Sequence, residues 1–451
     1  MSSTPRWLYF WGLGAVALGG ASLLLPLYVI ELGAEPFTLG VLAASAAAVG
    51  APGALSFGRI ADRTGRKRAL VLGGLAAITA TFAAVPFARS VPLVIGANAV
   101  VWFSFAALGP VLTLLVVRGA EEAAWQQRIA RLNAVQGWGW AGGLLLGVLW
   151  TGIGEQYVRS IVAQRALFGV CAACTAGAFL GTRLSLPVDP VVPSPSPERV
   201  RRAVLRARRL PLQGASFPFT PGRVFGWSMR RLNPQALLDR FSLELVAYYG
   251  AVLLFFLGFT AFFAPLPLYL EGLGVGSGTI FWLYLASSLG AAAYFLRAAT
   301  LSERYNDGAL QSTGLLLRGL AIPSVAIVGT VAGASIVGLV LETALFLLIG
   351  VTWAIIAITA ATIVTRLAPA AIRGEALGTY AAVSAGAGAV GSLLGGALAE
   401  VNYGLAFSMA GVFVLLGAVL VYRLRHSLES DAAAGSSDRP DPSSLDASAP
   451  G

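Results

Sequence analysis

Charged residues are scarce in this chain. Asp, Glu, Lys and Arg make up 12% of its 451 residues, about half the share of roughly 25% in a typical soluble domain. Hydrophobic residues make up 57%, and the mean hydropathy is +0.77. A soluble protein of this length needs a far more polar surface to cover its core. The composition therefore excludes an ordinary soluble enzyme and indicates an integral membrane protein.

The rarest residue types exclude several chemistries. Arg66 precedes the single lysine, Lys67, so the G-x-x-x-x-G-K-[ST] loop that cradles phosphates is absent and the chain has no recognisable ATP site. The single histidine, His426, cannot build a His-based triad or a multi-histidine metal site. Cys171 and Cys174 lie inside an apolar run, where a thiolate is not activated, and we interpret them as packing residues. We expect no enzyme activity, metal or cofactor.

Twelve apolar runs divide the chain, and each is long enough to cross a hydrocarbon core about 30 Å thick. They are residues 7–30, 37–57, 69–87, 92–117, 132–151, 160–182, 245–270, 278–298, 312–332, 335–364, 374–398 and 404–422. We predict an all-α polytopic membrane protein with an N-terminal six-helix half (1–182), a cytoplasmic central loop (183–240), a C-terminal six-helix half (241–426) and a disordered cytoplasmic tail (427–451).

The basic residues are distributed unequally between the two sides of the membrane. With both termini inside, all but three of the 31 Lys and Arg residues fall inside or near the inner helix ends, the exceptions being Arg89, Arg159 and Arg165. The positive-inside rule therefore predicts a cell-membrane protein with cytoplasmic termini. The net charge of +10 is then a topology signal, and we expect no nucleic-acid partner.

The central loop contains a candidate surface helix. Its opening stretch, Pro187 to Pro197, is rich in proline and is expected to be extended. In residues 198–210, apolar residues recur at helical spacing among six arginines. This pattern is typical of an amphipathic helix on an anionic leaflet. A merely solvated linker is the alternative.

The two halves share an internal repeat. A shift of 241 residues aligns Leu25-Pro26-Leu27-Tyr28 with Leu266-Pro267-Leu268-Tyr269 and, without a gap, Asp62-Arg63 with Glu303-Arg304. Parallel repeats of this kind occur in membrane transporters. We therefore expect two six-helix units in parallel relation.

The segment between the second and third spans carries a motif. It runs from Gly58 through Asp62, Arg63, Gly65 and Arg66 to Lys67. Gly58 permits close approach of a neighbouring helix, and Gly65 permits a reversal of the chain. Asp62 can accept hydrogen bonds from N–H groups at the N-terminus of a neighbouring helix. The basic residues can anchor the segment on phosphate headgroups, and a positive-inside loop alone would not explain the acid and the two glycines.

This segment, the twelve spans and the two related halves together resemble the major facilitator superfamily over roughly residues 5–425, since G-x-x-x-D-R-x-G-R-K is that family's loop signature. The resemblance implies a secondary transporter whose halves rock around a midplane site. It also implies that Asp62 bonds the start of the eleventh span near Gly374 and latches the outward-open state. The second-half copy keeps Glu303 and Arg304 but has Asn306-Asp307 in place of Gly-Arg, so we expect a weaker latch there.

Two departures from the family bear on its function. The arginine that many proton-driven members carry in the fourth span is absent. The fifth-span pattern of drug-exporting antiporters, G-x-x-x-G-P-x-x-G-G, has Leu144 and Val148 in place of its Pro and last Gly. The glycines that remain predict close helix packing. They are Gly139, Gly143 and Gly147 in the fifth span and Gly391 and Gly395 in the eleventh.

The resemblance implies that the first and fourth helices of each half line a central cavity. Two stripes at helical spacing, each with one polar group and an aromatic wall, are candidates for that lining and suit an amphipathic organic solute. They are Asn98, Trp102 and Phe105 in the fourth span, and Glu342, Phe346 and Trp353 in the tenth. Packing on lipid or on another helix is the alternative. Asn133 and Gln136 form a polar face on the fifth span that contacts substrate or, as we favour, bridges helices.

Glu342 is the only acid well inside a span. An ionised acid at the bilayer centre costs at least ~2.5–3.5 kcal/mol, so such residues usually face a cavity or a partner. Glu342 is a candidate for a proton or cation site, a substrate contact, or an ion pair with Arg318 or Arg297. Because Arg318 lies about 10 Å deeper, a direct pair with it needs snorkelling or an offset between helices.

We expect a monomeric, gradient-driven transporter of a small organic solute whose partners are that solute, protons or another cation, and membrane lipids. Proton-coupled export is the favoured hypothesis. Import or uniport, and a transporter-like sensor or assembly factor that moves no solute, are the alternatives.

Overall fold

The computed structural model describes residues 5–64, 66–118, 122–186, 241–369 and 372–425. The predicted surface helix at 198–210, the tail after residue 426 and Gly65 of the motif lie outside the described residues. The described part is helical, with no strand.

Twelve long helices, here α1 to α12, account for most of the described chain and coincide with the twelve predicted spans. They are Arg6–Glu31, Pro36–Thr64, Lys67–Ala84, Val91–Val116, Glu122–Gly154, Ser160–Ser185, Leu243–Phe263, Ser277–Arg304, Asp307–Ala332, Ile336–Leu367, Arg373–Val401 and Tyr403–Arg423. A 3-10 turn, Val85–Phe87, follows α3, and a short helix, Leu266–Gly272, continues α7 after a break.

Eleven spans are long and apolar enough to cross a membrane by length and composition. The remaining long helix, α5, has 33 residues and begins with a polar segment, while its second part is rich in glycine and tryptophan. It nevertheless packs along α1 in the same bundle. The chain is therefore a multi-pass membrane protein, and its even number of helices brings Arg6 and Arg423 to the same side. We call this the termini side and the opposite one the far side.

The helix pairing repeats between the halves. In the first half, α1 packs against α5 and α6, α3 packs against α4 and α6, and α2 packs against α4. In the second half, α7 packs against α11 and α12, α9 against α10 and α12, and α8 against α10. The halves meet through α2 with α11 and through α5 with α8, two pairs related by the same symmetry. The fold is thus two pseudo-symmetric six-helix bundles, as the repeat predicted.

The repeated Leu-Pro-Leu-Tyr segment makes equivalent contacts in both halves. The Tyr28 hydroxyl donates to the carbonyl oxygen of Ala88 at 3.0 Å, and the Tyr269 hydroxyl donates to that of Ala326 at 3.0 Å. The turns that follow also match, since Gly33 and Gly274 have φ of 85° and 80°, a conformation that favours glycine. The repeat is therefore present in hydrogen bonding and backbone geometry as well as in sequence.

The motif after the second span differs from its expected form. The sequence places it in a loop, but α2 continues to Thr64, so Gly58, Asp62 and Arg63 lie on the last turns of that helix. Helix α3 begins at Lys67. No proline interrupts residues 53–64, so nothing ends the helix before Thr64.

Candidate functional site

An aromatic cluster lies inside the N-terminal half, where α1, α4 and α5 meet. Trp102 and Phe105 of α4 pack edge to face with ring centroids 5.8 Å apart. Trp140 of α5 lies 6.1 Å from Trp102, and Trp11 of α1 stacks on Phe105 at 6.3 Å. All four side chains are buried. The predicted pair Trp102 and Phe105 is thus joined by two rings, Trp11 and Trp140, that the stripe on α4 did not include.

The corresponding helices of the C-terminal half, α7, α10 and α11, form a second cluster. The ring of Phe256 lies 6.3 Å from Trp353 and 6.2 Å from Tyr380. Phe259, one turn along α7 and 5.6 Å from Phe256, also lies 6.3 Å from Trp353. The predicted residue Trp353 therefore belongs to this cluster, which is centred on Phe256, and the helices that form the two clusters correspond under the symmetry of the halves.

One polar candidate of the first half, Asn98, lies at a contact between helices. The Asn98 side-chain amide donates to the Leu42 carbonyl oxygen at 2.9 Å and lies 3.4 Å from Ser45 Oγ. It therefore ties α4 to α2. Asn133 is half-buried and Gln136 is buried, both on α5 in the turns before Trp140.

Arg318 of α9 is fully buried in the C-terminal half. Its Nη1 donates to the Ile349 carbonyl oxygen at 2.7 Å and lies 3.4 Å from the Thr352 hydroxyl oxygen. Its guanidinium carbon lies 4.2 Å from the centre of the Phe259 ring and 5.8 Å from that of Trp353. Nε and Nη2 have no hydrogen-bond partner among the described residues. Arginine inside an apolar span was the available sequence signal, but the sequence analysis used Arg318 only as a partner for Glu342.

Glu342 of α10 is 5% exposed, and neither carboxyl oxygen has a hydrogen-bond partner in the described part of the chain. Its neighbour Tyr269 donates its hydroxyl proton elsewhere, to Ala326. One turn further, Phe346 packs on Tyr284 of α8 at 5.9 Å. The carboxyl group is thus enclosed without a donor.

The ion pair considered for Glu342 is not formed in this conformation. Arg318 contacts Ile349, which is seven residues further along α10 than Glu342, or about 10 Å along the helix. Arg297 is exposed on α8. The C-terminal half therefore holds a buried acid and a buried base at different depths.

The side chains of Asp62 and Arg63 and the surroundings of Gly58 and Gly374 lie outside the described part, and so does the proposed latch between Asp62 and α11. Of the remaining motif residues, Arg66 is exposed and Lys67 is buried at the start of α3.

In the second half, Asp307 holds the position equivalent to Arg66. Glu303 and Arg304 are exposed at the end of α8. Asp307 is instead buried at the start of α9, where it pairs with Arg366 Nη1 of α10 at 3.0 Å and accepts from the Ser302 hydroxyl. Its charge, opposite to that of the family residue at this place, was the sequence signal that it has another partner.

The five glycines noted in the sequence lie at close contacts between helices. Gly139 and Gly143 face the α1 backbone, Gly391 and Gly395 face the α7 backbone, and Gly147 lies against the Phe281 ring in the other half. A Cβ atom at any of them would meet these neighbours.

Glycines also mediate contacts between the halves. In α2 and α11, Gly40 lies against the Ser392 carbonyl group and Gly396 against Pro36. In α5 and α8, Gly278 lies against Gly152. These positions are near the far-side ends of their helices, so the two halves are packed closely together on that side.

The family described as Major Facilitator Superfamily matches residues 8–392. No curated protein sequence matches the chain.

Several solved transporter structures share the fold. The nucleoside transporter NupG is 14% identical with a TM-score of 0.63, covering 94% of this chain and 98% of that one. A POT family transporter in complex with a thioalcohol-conjugated peptide is 15% identical with a TM-score of 0.67, covering 94% and 96%. The human organic anion transporter MFSD10 is 17% identical with a TM-score of 0.54, covering 92% and 98%. At these identities the similarity concerns the fold alone.

Proposed function

The chain belongs to the major facilitator superfamily, and from this premise we propose that it is a secondary active transporter that moves a small organic solute by alternating access. The observation that carries the proposal is the arrangement of the halves. They are joined by two symmetry-related helix pairs, and the described glycine contacts between them lie near the far side. Separating these contacts while closing the termini side is the rocking motion that alternating access requires.

We further propose that a proton gradient drives transport and that Glu342 is the proton site. A carboxyl group enclosed without a partner is tolerated in the membrane when it is neutral, and an ionised one is costly. A group that is protonated facing one side and releases its proton toward the other couples the two fluxes. We place the termini in the cytoplasm of a cell-membrane protein on the distribution of basic residues, and we propose that the monomer is the working unit, surrounded by lipid.

Export is the direction we propose, on the glycines retained at positions 139, 143 and 147. Leu144 and Val148, which replace two residues of the export pattern, favour import or uniport as the second candidate. A sensor or assembly factor without transport is the third, and the motif ending at Lys67 argues against it, because a static protein needs no conformational latch.

A pair of distance measurements on the full chain tests transport against the static alternative. Spin labels at exposed Phe87 and Val331 report the far side, and labels at exposed Leu184 and Tyr305 report the termini side. In a transporter, the two distances change in opposite directions as pH gradient and solute are varied. One fixed distribution for both pairs under every condition would favour a protein that does not transport.

A further inference from the structure

Arg318 lies near the middle of its helix. It is 11 residues from the start of α9 at Asp307 and 14 from the end at Ala332, or about 16 and 21 Å along the axis. Charged groups at such depth are costly and usually mark a functional site. Because Arg318 is fully buried, we expect its guanidinium group to bind groups that accept hydrogen bonds or carry negative charge.

The protein supplies only part of what a guanidinium group can bind. Arginine has five N–H donors in a planar fork. Nη1 is directed at Ile349 and Thr352 of α10, whereas Nε and Nη2 lack partners within the described ranges. Nε and Nη2 form one edge of the fork, which suits two parallel hydrogen bonds to a carboxylate. Glu342 of α10 does not pair with Arg318. It lies about 10 Å along α10 from Ile349, the residue that Arg318 contacts.

Aromatic rings surround this edge. Phe259 lies 4.2 Å and Phe263 lies 5.8 Å from the guanidinium carbon, and both belong to α7. Trp353 of α10 lies at 5.8 Å and continues into the cluster with Phe256 and Tyr380. The surroundings therefore combine a planar cation with flat apolar walls, which is the chemistry that binds an aromatic or apolar anion.

The helix that covers the site is broken beside it. Helix α7 ends at Phe263, and a short helix resumes at Leu266. Pro267 has no N–H group to donate to the carbonyl oxygen four residues earlier, that of Phe263. Discontinuous helices of this kind are found at transporter substrate sites. Phe263, the last residue of α7 before this break, lies directly beside Arg318.

We propose that Arg318 binds the carboxylate of an organic anion through Nε and Nη2, with the apolar or aromatic body of that anion against the cluster of Phe256, Trp353 and Tyr380. The inference names the substrate class and rests on the proposed transport function.

Ligand binding to the purified full chain tests this directly. The probes are 3-phenylpropionate, its neutral amide and 3-phenylpropylamine, which share one ring and one chain length. A bound ligand raises the midpoint of thermal unfolding, so we expect the carboxylate alone to raise it. Titration should then show a Kd about 10- to 150-fold weaker in Arg318→Gln, the range expected for losing a charged hydrogen-bond pair.

Two further variants control for folding and for charge alone. Arg297→Gln removes an exposed arginine of α8 and should bind like the wild type. Arg318→Lys keeps the charge but loses the planar pair of N–H donors, so its Kd should lie between those of the wild type and Arg318→Gln. If Arg318→Gln does not fold, the Kd of Arg318→Lys tests the proposal instead. Equal binding of amide and carboxylate, wild-type affinity in Arg318→Gln, or no stabilisation by any of a series of aliphatic and aromatic carboxylates would overturn the proposal.

Transport assays in proteoliposomes distinguish failure of the anion site at Arg318 from failure of the proposed transport function. Arg318-dependent binding of a carboxylate that wild-type protein does not transport would support the site and contradict the transport function. Transport of a neutral or cationic solute that is unchanged in Arg318→Gln would support the function and overturn the anion site.

Discussion

Two charged side chains of the C-terminal half, Glu342 and Arg318, are buried without neutralising each other. The two side chains differ in how their charge can be accommodated in an apolar interior. A carboxyl group can lose its charge by binding a proton, whereas an arginine keeps its charge at physiological pH. The acid is therefore suited to a proton and the base to an anion, which is why we assign them to separate roles.

The role of Glu342 leads to a first prediction. Glu342→Gln keeps the size and polarity of the side chain but cannot release a proton, so it should abolish solute accumulation driven by a pH gradient and spare solute exchange across proteoliposomes. Glu400→Gln, which changes an exposed acid at the far-side end of α11, should leave both activities unchanged. Accumulation at the wild-type level in Glu342→Gln would exclude it as the coupling site.

Asp307 gives a second prediction at this scale. It is buried and pairs with Arg366, which is 42% exposed. Asp307→Asn should destabilise the protein by on the order of 1 kcal/mol, a modest value because Arg366 remains partly hydrated. Unfolding of purified protein measures this, and Glu303→Gln, at an exposed site, is the matched control.

A double-mutant cycle then isolates the pair. Asp307→Asn combined with Arg366→Gln should destabilise less than the sum of the two single changes. Strict additivity would mean that the contact at 3.0 Å contributes nothing measurable.

Several of the close contacts between helices in this fold are made at glycines. Gly143 of α5 faces the Val16 carbonyl oxygen and the Gly20 amide of α1, so a Cβ atom there has no room. In contrast, Gly250 of α7 has no heavy atom within 4 Å of the position of a Cβ. Replacing glycine by alanine should therefore lower the stability of the protein at Gly143 but not at Gly250.

We predict that Gly143→Ala lowers stability by about 1–3 kcal/mol, the usual cost of overpacking. Gly250→Ala should be neutral or raise stability by up to about 1 kcal/mol, because alanine favours the helix. Thermal unfolding of the two purified variants under identical conditions checks the contrast. A loss of stability in Gly250→Ala as large as that in Gly143→Ala would contradict the packing argument.

The order of the helices was predictable, because most spans are long apolar runs. The repeat that aligns Leu25 with Leu266 also predicted two equivalent halves. The break in α7 was also signalled, by Pro265 and Pro267, although the sequence analysis treated residues 245–270 as continuous. The environment of Arg318 could not be predicted in this way. Its contacts come from α7 and α10, and the periodicity of one helix does not tell which residues of other helices lie beside it.

At the scale of the whole molecule, the halves interact through a symmetric pair of contacts. Gly40 of α2 meets Ser392 of α11, and Gly278 of α8 meets Gly152 of α5. Because symmetry relates the two contacts, rocking of the halves should open both together. Blocking either one should therefore have the same effect on the conformation of the protein.

We predict that Gly40→Leu and Gly278→Leu each shift the protein toward conformations open on the far side, since the added side chain cannot fit between the packed backbones. The distance between labels at Phe87 and Val331 should lengthen in both variants, and that between Leu184 and Tyr305 should shorten. Gly250→Leu, which adds the same side chain at an exposed site, should leave both distances as in the wild type. If only one of the two glycine variants moved the labels, the contacts would open independently, and the halves would not rock as rigid, symmetric units.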